Sequence, residues 1–296
     1  MSPRDAALAR PAARRARRPA QLVSRGAILL ALVVLGALFA FPFFWQLVSS
    51  FKDLSEIQAS PPRFIPARLR WENYTAVWKL VPFGRFTVNT LTVAILATVG
   101  QTLSAAAVAY GFARFRFRGR EVLFALCLSS LMLPWEVTIV PQFIMFRELG
   151  WLDTLAPLIV PHWFGGGAFN IFLLRQFFLT IPRDLDEAAK IDGAGYGRIF
   201  WSILLPLSRP ALITVAIFSF LAHWSEFITP LIYLNSTENF VLSLGVRHLQ
   251  TLPTSEPARD HLLMAAATLV TLPPIVVFFA LQRYFVRGVV MTGLKG

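Results

Sequence analysis

The chain has 296 residues, of which 56% are apolar and 14% aromatic, while only 15% are charged. Ordinary globular chains carry about 25% charged residues, so this composition excludes a soluble domain. The formal net charge of +12 bears on membrane orientation and anionic headgroups, and nucleic acid is not an expected partner.

The first 25 residues carry seven arginines and resemble the start of a signal peptide. The apolar run behind them, 26–51, is too long for a signal h-region and lacks an obvious small-residue cleavage site, so it reads as a retained first helix. A hydrocarbon core needs roughly 20 apolar residues per helical span. Five further runs approach that length: 86–112, 122–146, 155–181, 203–234 and 261–286. Between the first two lies 52–85, with Pro61, Pro62 and Pro66 followed by an amphipathic stretch over 71–78. Its Trp and Tyr residues favour the membrane interface, so this piece is expected along the outer surface, as an anchor or a partner contact.

The second run carries small residues at Ser104, Ala107 and Gly111, and the first carries Gly36 and Ala40. Such spacing lets membrane helices approach closely. The Arg114–Arg120 hairpin alternates arginine with phenylalanine and reads as an interfacial anchor at headgroup level. Cys127 is the single cysteine, so no intrachain disulfide is possible. The fourth run is interrupted by Pro157, Pro161 and Gly165–Gly167, and is therefore expected inside the bundle, where protein can satisfy the freed backbone groups. Nineteen of the 28 lysines and arginines fall on the arginine arm, the 113–121 and 182–202 segments, the tail and their nearest span ends. The positive-inside rule places those segments, and both termini, in the cytoplasm. The expected organisation is a basic arm at 1–25, a first span at 26–51, an extracytoplasmic segment at 52–85, a five-helix core at 86–282, and the end of the last helix with a cytoplasmic tail at 283–296.

Signatures of catalysis are missing. No G-x-x-x-x-G-K-[ST] loop is present to grip a nucleotide's phosphates, and the run Gly193–Gly197 matches neither that spacing nor G-x-G-x-x-G. His162, His223, His248 and His261 form no H-E-x-x-H or comparable metal pair. What stands out is a polar island between the fourth and fifth runs. Pro182 breaks the preceding helix; Asp184 and Glu187 have the spacing of a capping box; Asp186 and Lys190 stand at i and i+4 in the favourable order. Leu185, Ala188 and Ala189 share a face, a narrow ridge able to sink into a groove on another protein. Gly193 and Gly195 end the helix.

Glu187-Ala188-Ala189, then Gly193, then Ile203-Leu204-Leu205-Pro206, resembles the EAA motif of permease subunits in binding-protein-dependent ABC importers. The resemblance extends to Ala109–Phe115, Leu149–Thr154, Pro230–Ile232 and the tail Gln282–Gly288, and is similar to the carbohydrate-uptake branch, in particular the smaller maltose-type subunit. It implies an all-α integral membrane protein with six transmembrane helices in the type I ABC importer permease fold, in a bacterial plasma membrane. It implies sugar import, or import of another small polar solute such as a polyol or sugar phosphate, with no enzyme activity in this chain. The implied partners are a second permease subunit, two cytoplasmic ATPase subunits, an extracytoplasmic solute-binding protein and membrane lipid. No cofactor is expected here, since ATP and Mg belong to the ATPase.

In that family the motif forms a coupling helix, placed here at 184–196, which docks on the ATPase. Asp184, Glu187, Ala188, Ala189, Asp192, Gly193 and Pro206 are its candidate coupling residues, and the basic tail at 287–296 is a second candidate ATPase contact. The chain departs from the family pattern at Trp135-Glu136 and at His223-Trp224-Ser225-Glu226. A carboxylate within a membrane segment is a functional candidate by default, so Glu136 and Glu226, with Trp135, Asn170 and Trp224, are candidate pathway residues. Two rival readings remain: a membrane-embedded enzyme using Glu226, His223 and His162, and a secondary transporter that works alone.

Overall fold

The computed structural model describes residues 17–252 and 259–293, with side chains described over 25–252 and 259–282. The side chains of the arginine arm before Arg25 and of the 287–296 tail contact lie outside the described residues. All regular structure within those bounds is helical.

The first helix, α1 (Arg17–Ser49), leaves Ile28, Val33, Leu38 and Phe39 more than half exposed. The short α2 (Leu54–Ile57) has a complete capping box: Asp53 Oδ1 accepts from the Leu54 amide at 2.7 Å, and Glu56 Oε2 accepts from the Asp53 amide at 3.1 Å. The next helix, α3 (Glu72–Leu80), buries Val77 while Trp71 and Trp78 stay exposed. Asn73 pins it to the end of α1 by donating to the carbonyls of Ser50 and Lys52, both at 2.9 Å.

At the centre runs α4 (Phe83–Arg114). Besides Phe86, its fully buried side chains are all alanines, Ala94, Ala97, Ala105, Ala106, Ala109 and Ala113, small groups that let neighbouring backbones close in. The expected stripe was one register off. Ala107 faces outward and Gly111 has open space around it, while Ser104 does reach inward, donating to the His162 carbonyl at 3.1 Å.

The third apolar run is not a straight span. It divides into α5 (Arg120–Ser129), a tight turn over Ser130–Met132, and α6 (Trp135–Glu148), with a 96° bend between the two arms. Pro134 at the break has no amide hydrogen to carry a helix through. The fourth run comprises α7 (Ala156–Ile159), a 3₁₀ turn over Val160–Trp163, and α8 (Ala168–Thr180). The expected burial of this interruption holds in part. Gly166 has φ +63°, and a Cβ there would lie 2.3 Å from the Ala105 amide nitrogen, so only glycine lets α8 close on α4. The carbonyls freed at His162 and Gly166 accept from Ser104 and from Asn170. Phe164 instead points away from the protein, 79% exposed.

Beyond α8 come α9 (Asp184–Ile191), α10 (Tyr196–Ile199), a π-helical turn over Phe200–Leu204 and α11 (Leu205–Leu207). An 80° bend at Ser208 leads into α12 (Arg209–Ser225). The fifth run, read as continuous over 203–234, is therefore a surface helix, a bend, α12, and then a separate α13 (Ile228–Tyr233). Last are the amphipathic α14 (Leu242–Thr251) and the long α15 (Asp260–Gly293). Among the described residues four helices are long and apolar enough to cross a membrane, and the two bent pairs bring the number to six if each is one crossing. The bundle core joins α4, α8 and α12 through Tyr110, Leu174, Phe178, Leu204 and Val215. A second cluster packs α3, α4, α12, α14 and α15 around Val77, Phe86, Trp224, Leu249 and Ala265.

Candidate functional site

The polar island forms a helix, but its start differs from the reading above. Arg183 occupies the N-cap position and its carbonyl accepts from the amides of Asp186 at 2.9 Å and Glu187 at 3.1 Å; Asp184 is already the first helical residue. The capping box of Asp184 and Glu187 therefore does not form. Three carboxylates in the first turn still suit the positive end of the helix dipole. At the far end Gly193 takes φ +82°, its amide bonds the Lys190 carbonyl at 3.0 Å, and the Ala194 amide bonds the Ala189 carbonyl at 2.8 Å. That pair of bonds is a Schellman stop, which needs a left-handed residue.

Burial sorts the helix into two faces. Asp184, Glu187, Ala188, Asp192 and Gly193 are exposed, as are Leu185 and Ile191, the latter by 87%. Ala189 turns inward and is buried within its own chain, so it does not belong to the outward ridge. Asp186 is buried too, and its partner is not Lys190. The Asp186 carboxylate pairs with Arg114 at the end of α4, Oδ2 to Nε 3.0 Å, with the two side chains only 11% and 4% exposed. Lys190 sits 5.1 Å over the Tyr196 ring instead.

Three further bonds strap this region to α4: Arg114 Nη2 to the Ile181 carbonyl at 3.1 Å, Arg183 Nη2 to the Ala113 carbonyl at 3.2 Å, and Tyr110 Oη to the Tyr196 carbonyl at 3.2 Å. These bonds and the Asp186–Arg114 pair tie α9 and the segments flanking it to the C-terminal end of α4. Pro206 is exposed on α11, just before the 80° bend. The pairing of Arg114 with Asp186 is not visible in the sequence because nothing local links them; the run of arginines from Arg114 was the available signal.

The pathway candidates separate. Trp135 and Glu226 line one cavity of about 370 Å³ with Thr138, Gln142, Thr229 and Tyr233. A neighbouring cavity of about 330 Å³ shares Gln142, Glu226, Thr229 and Tyr233 and adds Thr90, His162 and His223. Glu226 also accepts from the amides of Ile228 and Thr229, both at 3.1 Å, capping α13. Glu136 is exposed and lines neither cavity. Asn170 is buried and donates to the Gly166 carbonyl and to Ser219. Trp224, 3% exposed, packs on Phe220 and donates to the Val270 carbonyl at 3.0 Å. Both are buried between helices, and neither lines either of these two cavities. The two histidines stand edge to face with ring centres 4.3 Å apart, and His223 Nε2 shares a hydrogen with Gln101 Oε1 at 2.8 Å. No cluster of three metal-ligating side chains occurs among the described residues.

A latch beside the cavities also escaped the sequence reading. Asp153, at φ +57°, accepts from the amides of Asn235 at 2.9 Å and Ser236 at 2.8 Å and from the Ser236 hydroxyl. Its carbonyl accepts from Asn239 at 2.6 Å. The Ser236 hydroxyl and these amides hold the Asp153 carboxyl down at about 2. The latch fixes the loop that leaves α13, and hence Thr229 and Tyr233.

Helices long enough to cross a bilayer, cavities among them and an exposed acidic helix tied to the core define a membrane-embedded transport component. A family profile described as "Binding-protein-dependent transport system inner membrane component" matches residues 102–291. The sn-glycerol-3-phosphate transport system permease protein UgpE of Yersinia pestis is 35% identical over 266 residues, covering 88% of this chain and 94% of that protein. The diacetylchitobiose uptake system permease protein NgcG of Streptomyces coelicolor is 34% identical over 286 residues, covering 97% and 92%. The chain belongs to this family of ABC importer permease subunits. A bacterial ABC transporter structure, involved in import of the acidic polysaccharide alginate, shares the fold with a TM-score of 0.78 at 23% identity, covering 93% of this chain and all of that one.

Proposed function

We propose that this chain is the permease half of a sugar importer driven by ATP, and that α9 is its handle. The observation that carries the reading is the two-faced α9: outside, Asp184, Glu187, Ala188, Asp192 and Gly193 are free for a partner; inside, Asp186 binds Arg114 of α4. Two cytoplasmic ATPase subunits hold ATP and Mg, and one of them grips this outer face. Pro206 and the bend behind it carry the motion into α12. A second permease subunit completes the pathway, and an extracytoplasmic solute-binding protein delivers solute to the opposite side. Both termini and α9 lie in the cytoplasm, in line with the arginine bias.

Solute meets this half at Trp135, Gln142, Glu226, Thr229 and Tyr233. An aromatic face beside hydrogen-bonding groups suits a polyhydroxylated solute. The residues lining both cavities include Glu226 but no lysine or arginine, which favours a neutral sugar or polyol over a sugar phosphate. Glu136, Asn170 and Trp224 are left out of the pathway.

The test is uptake by vesicles containing the whole transporter. Glu187→Ala and Gly193→Asp should leave the chain inserted, loosen the ATPase and stop uptake, and unlabelled neutral sugars should compete where glycerol phosphate does not. Unimpaired uptake in both variants would discredit the handle; competition by glycerol phosphate alone would discredit the neutral solute.

A further inference from the structure

A third cavity, of about 660 Å³, lies at the elbow between α4 and α5, far from the solute-facing cavities in chemistry. Its lining is Arg116, Phe117, Gly119, Arg120, Glu121, Val122 and Arg183. Three guanidinium groups face one carboxylate, and that carboxylate is already engaged twice: Arg120 donates to Glu121 Oε1 at 2.7 and 2.9 Å, and Arg175 approaches it at 3.4 Å. Arg183 bonds only the neutral Ala113 carbonyl. Arg116 is exposed and enters none of the ion pairs among the described residues. The hollow therefore keeps uncompensated positive charge, which the first turn of α5, with no side-chain cap at Gly119, reinforces.

At Val122, which itself lines the hollow, an apolar surface begins. Val122 and Leu126, one helical turn apart and so on one face, are 64% and 60% exposed, with Leu123 beside them at 51%. A basic hollow continued by an exposed apolar stripe has the polarity profile of an amphiphile. Basic pockets between membrane helices hold anionic headgroups. We propose that the α4–α5 elbow binds an anionic phospholipid, with its phosphate among Arg116, Arg120 and Arg183 and an acyl chain along Val122 and Leu126. Because Arg183 is also the residue whose carbonyl starts α9, the bound phosphate stands beside the root of the coupling helix.

The experiment is native mass spectrometry of the full chain in neutral detergent, titrated with phosphatidylglycerol or phosphatidylcholine. Phosphatidylglycerol should be retained in preference. Arg116→Gln, an exposed side chain whose loss leaves the fold intact, should weaken that retention about fivefold, the effect expected of one basic residue at a headgroup. Arg118→Gln removes the same charge from the same loop, outside the hollow, and should leave retention unchanged. Equal losses in the two variants would mean diffuse attraction and overturn the site. Val122→Asn should also weaken phosphatidylglycerol; if it does not, and inorganic phosphate competes for the hollow, the ligand is free phosphate and the lipid assignment fails.

Discussion

Replacing Asp186 with alanine leaves the Arg114 guanidinium, 4% exposed, buried beside α9 without its counter-charge. Exposed ion pairs are worth about 0–1 kcal/mol, but removing one partner of a buried pair costs about 3–5 kcal/mol, because the remaining charge has lost both water and its mate. Even the lower figure raises the opened population of α9 on the order of 100-fold. Limited trypsinolysis reads this directly, since Arg183 stands at the N-cap of α9 and Lys190 in its last turn, and opening of the helix exposes both backbone sites to cleavage. Arg114→Met should open α9 comparably. The double variant Arg114→Met/Asp186→Leu removes both charges and should recover most of the protection, as apolar replacements of buried pairs commonly do. Recovery is favoured further because Asp186 Oδ1 is buried with no hydrogen-bond partner. In the reconstituted transporter Asp186→Ala should let ATP hydrolysis continue while uptake falls. Tryptic rates within twofold of wild type for both single variants would refute the strap between α9 and α4.

At Gly166, alanine would place its Cβ 2.3 Å from backbone, so Gly166→Ala should sharply reduce the folded chain extracted from membranes; Gly165→Ala, with open space around it, should cost only backbone strain of about 1–3 kcal/mol. Equal yields of the two would show that α8 and α4 are not closed at this point. For Asp153 the folded pKa, about 2, lies below the ordinary 3.8, so its stabilisation is complete above the ordinary value and disappears as pH falls through the folded one. The thermal midpoint of wild type should therefore exceed that of Asp153→Asn by a constant amount above about pH 5, with the gap closing towards pH 2; a gap independent of pH would remove the carboxylate from the latch.

Apolar run length made the crossings legible, because a bilayer imposes a minimum number of apolar residues whatever the fold. It said nothing of direction, which is why the 96° turn at Pro134 and the 80° turn at Ser208 surprised a reading based on continuous runs. The acidic helix and its Gly193 stop were readable, since a Schellman ending depends on nearby residues alone. The role of Asp186 was not: i,i+4 spacing offered Lys190, and only tertiary packing brings in Arg114. Of the pathway candidates, Glu226 and Trp135 turn out to share a cavity, a juxtaposition no local pattern announces, whereas Trp224 is buried and donates to the Val270 carbonyl. Asp153 gave no sign of its latch, because all its acceptor bonds run to residues after α13.

The bare flanks of α1 carry a last consequence. Among the described residues only the far end of α1 is fastened to its own chain, through Asn73 and the Gln46–Thr271 bond, so wherever lipid covers its flanks the tilt of the helix follows hydrocarbon thickness. Lipids with shorter or longer tails should tilt α1 first, while the alanine-lined centre of α4 keeps its place, so that one polypeptide combines a compliant outrigger with a rigid keel.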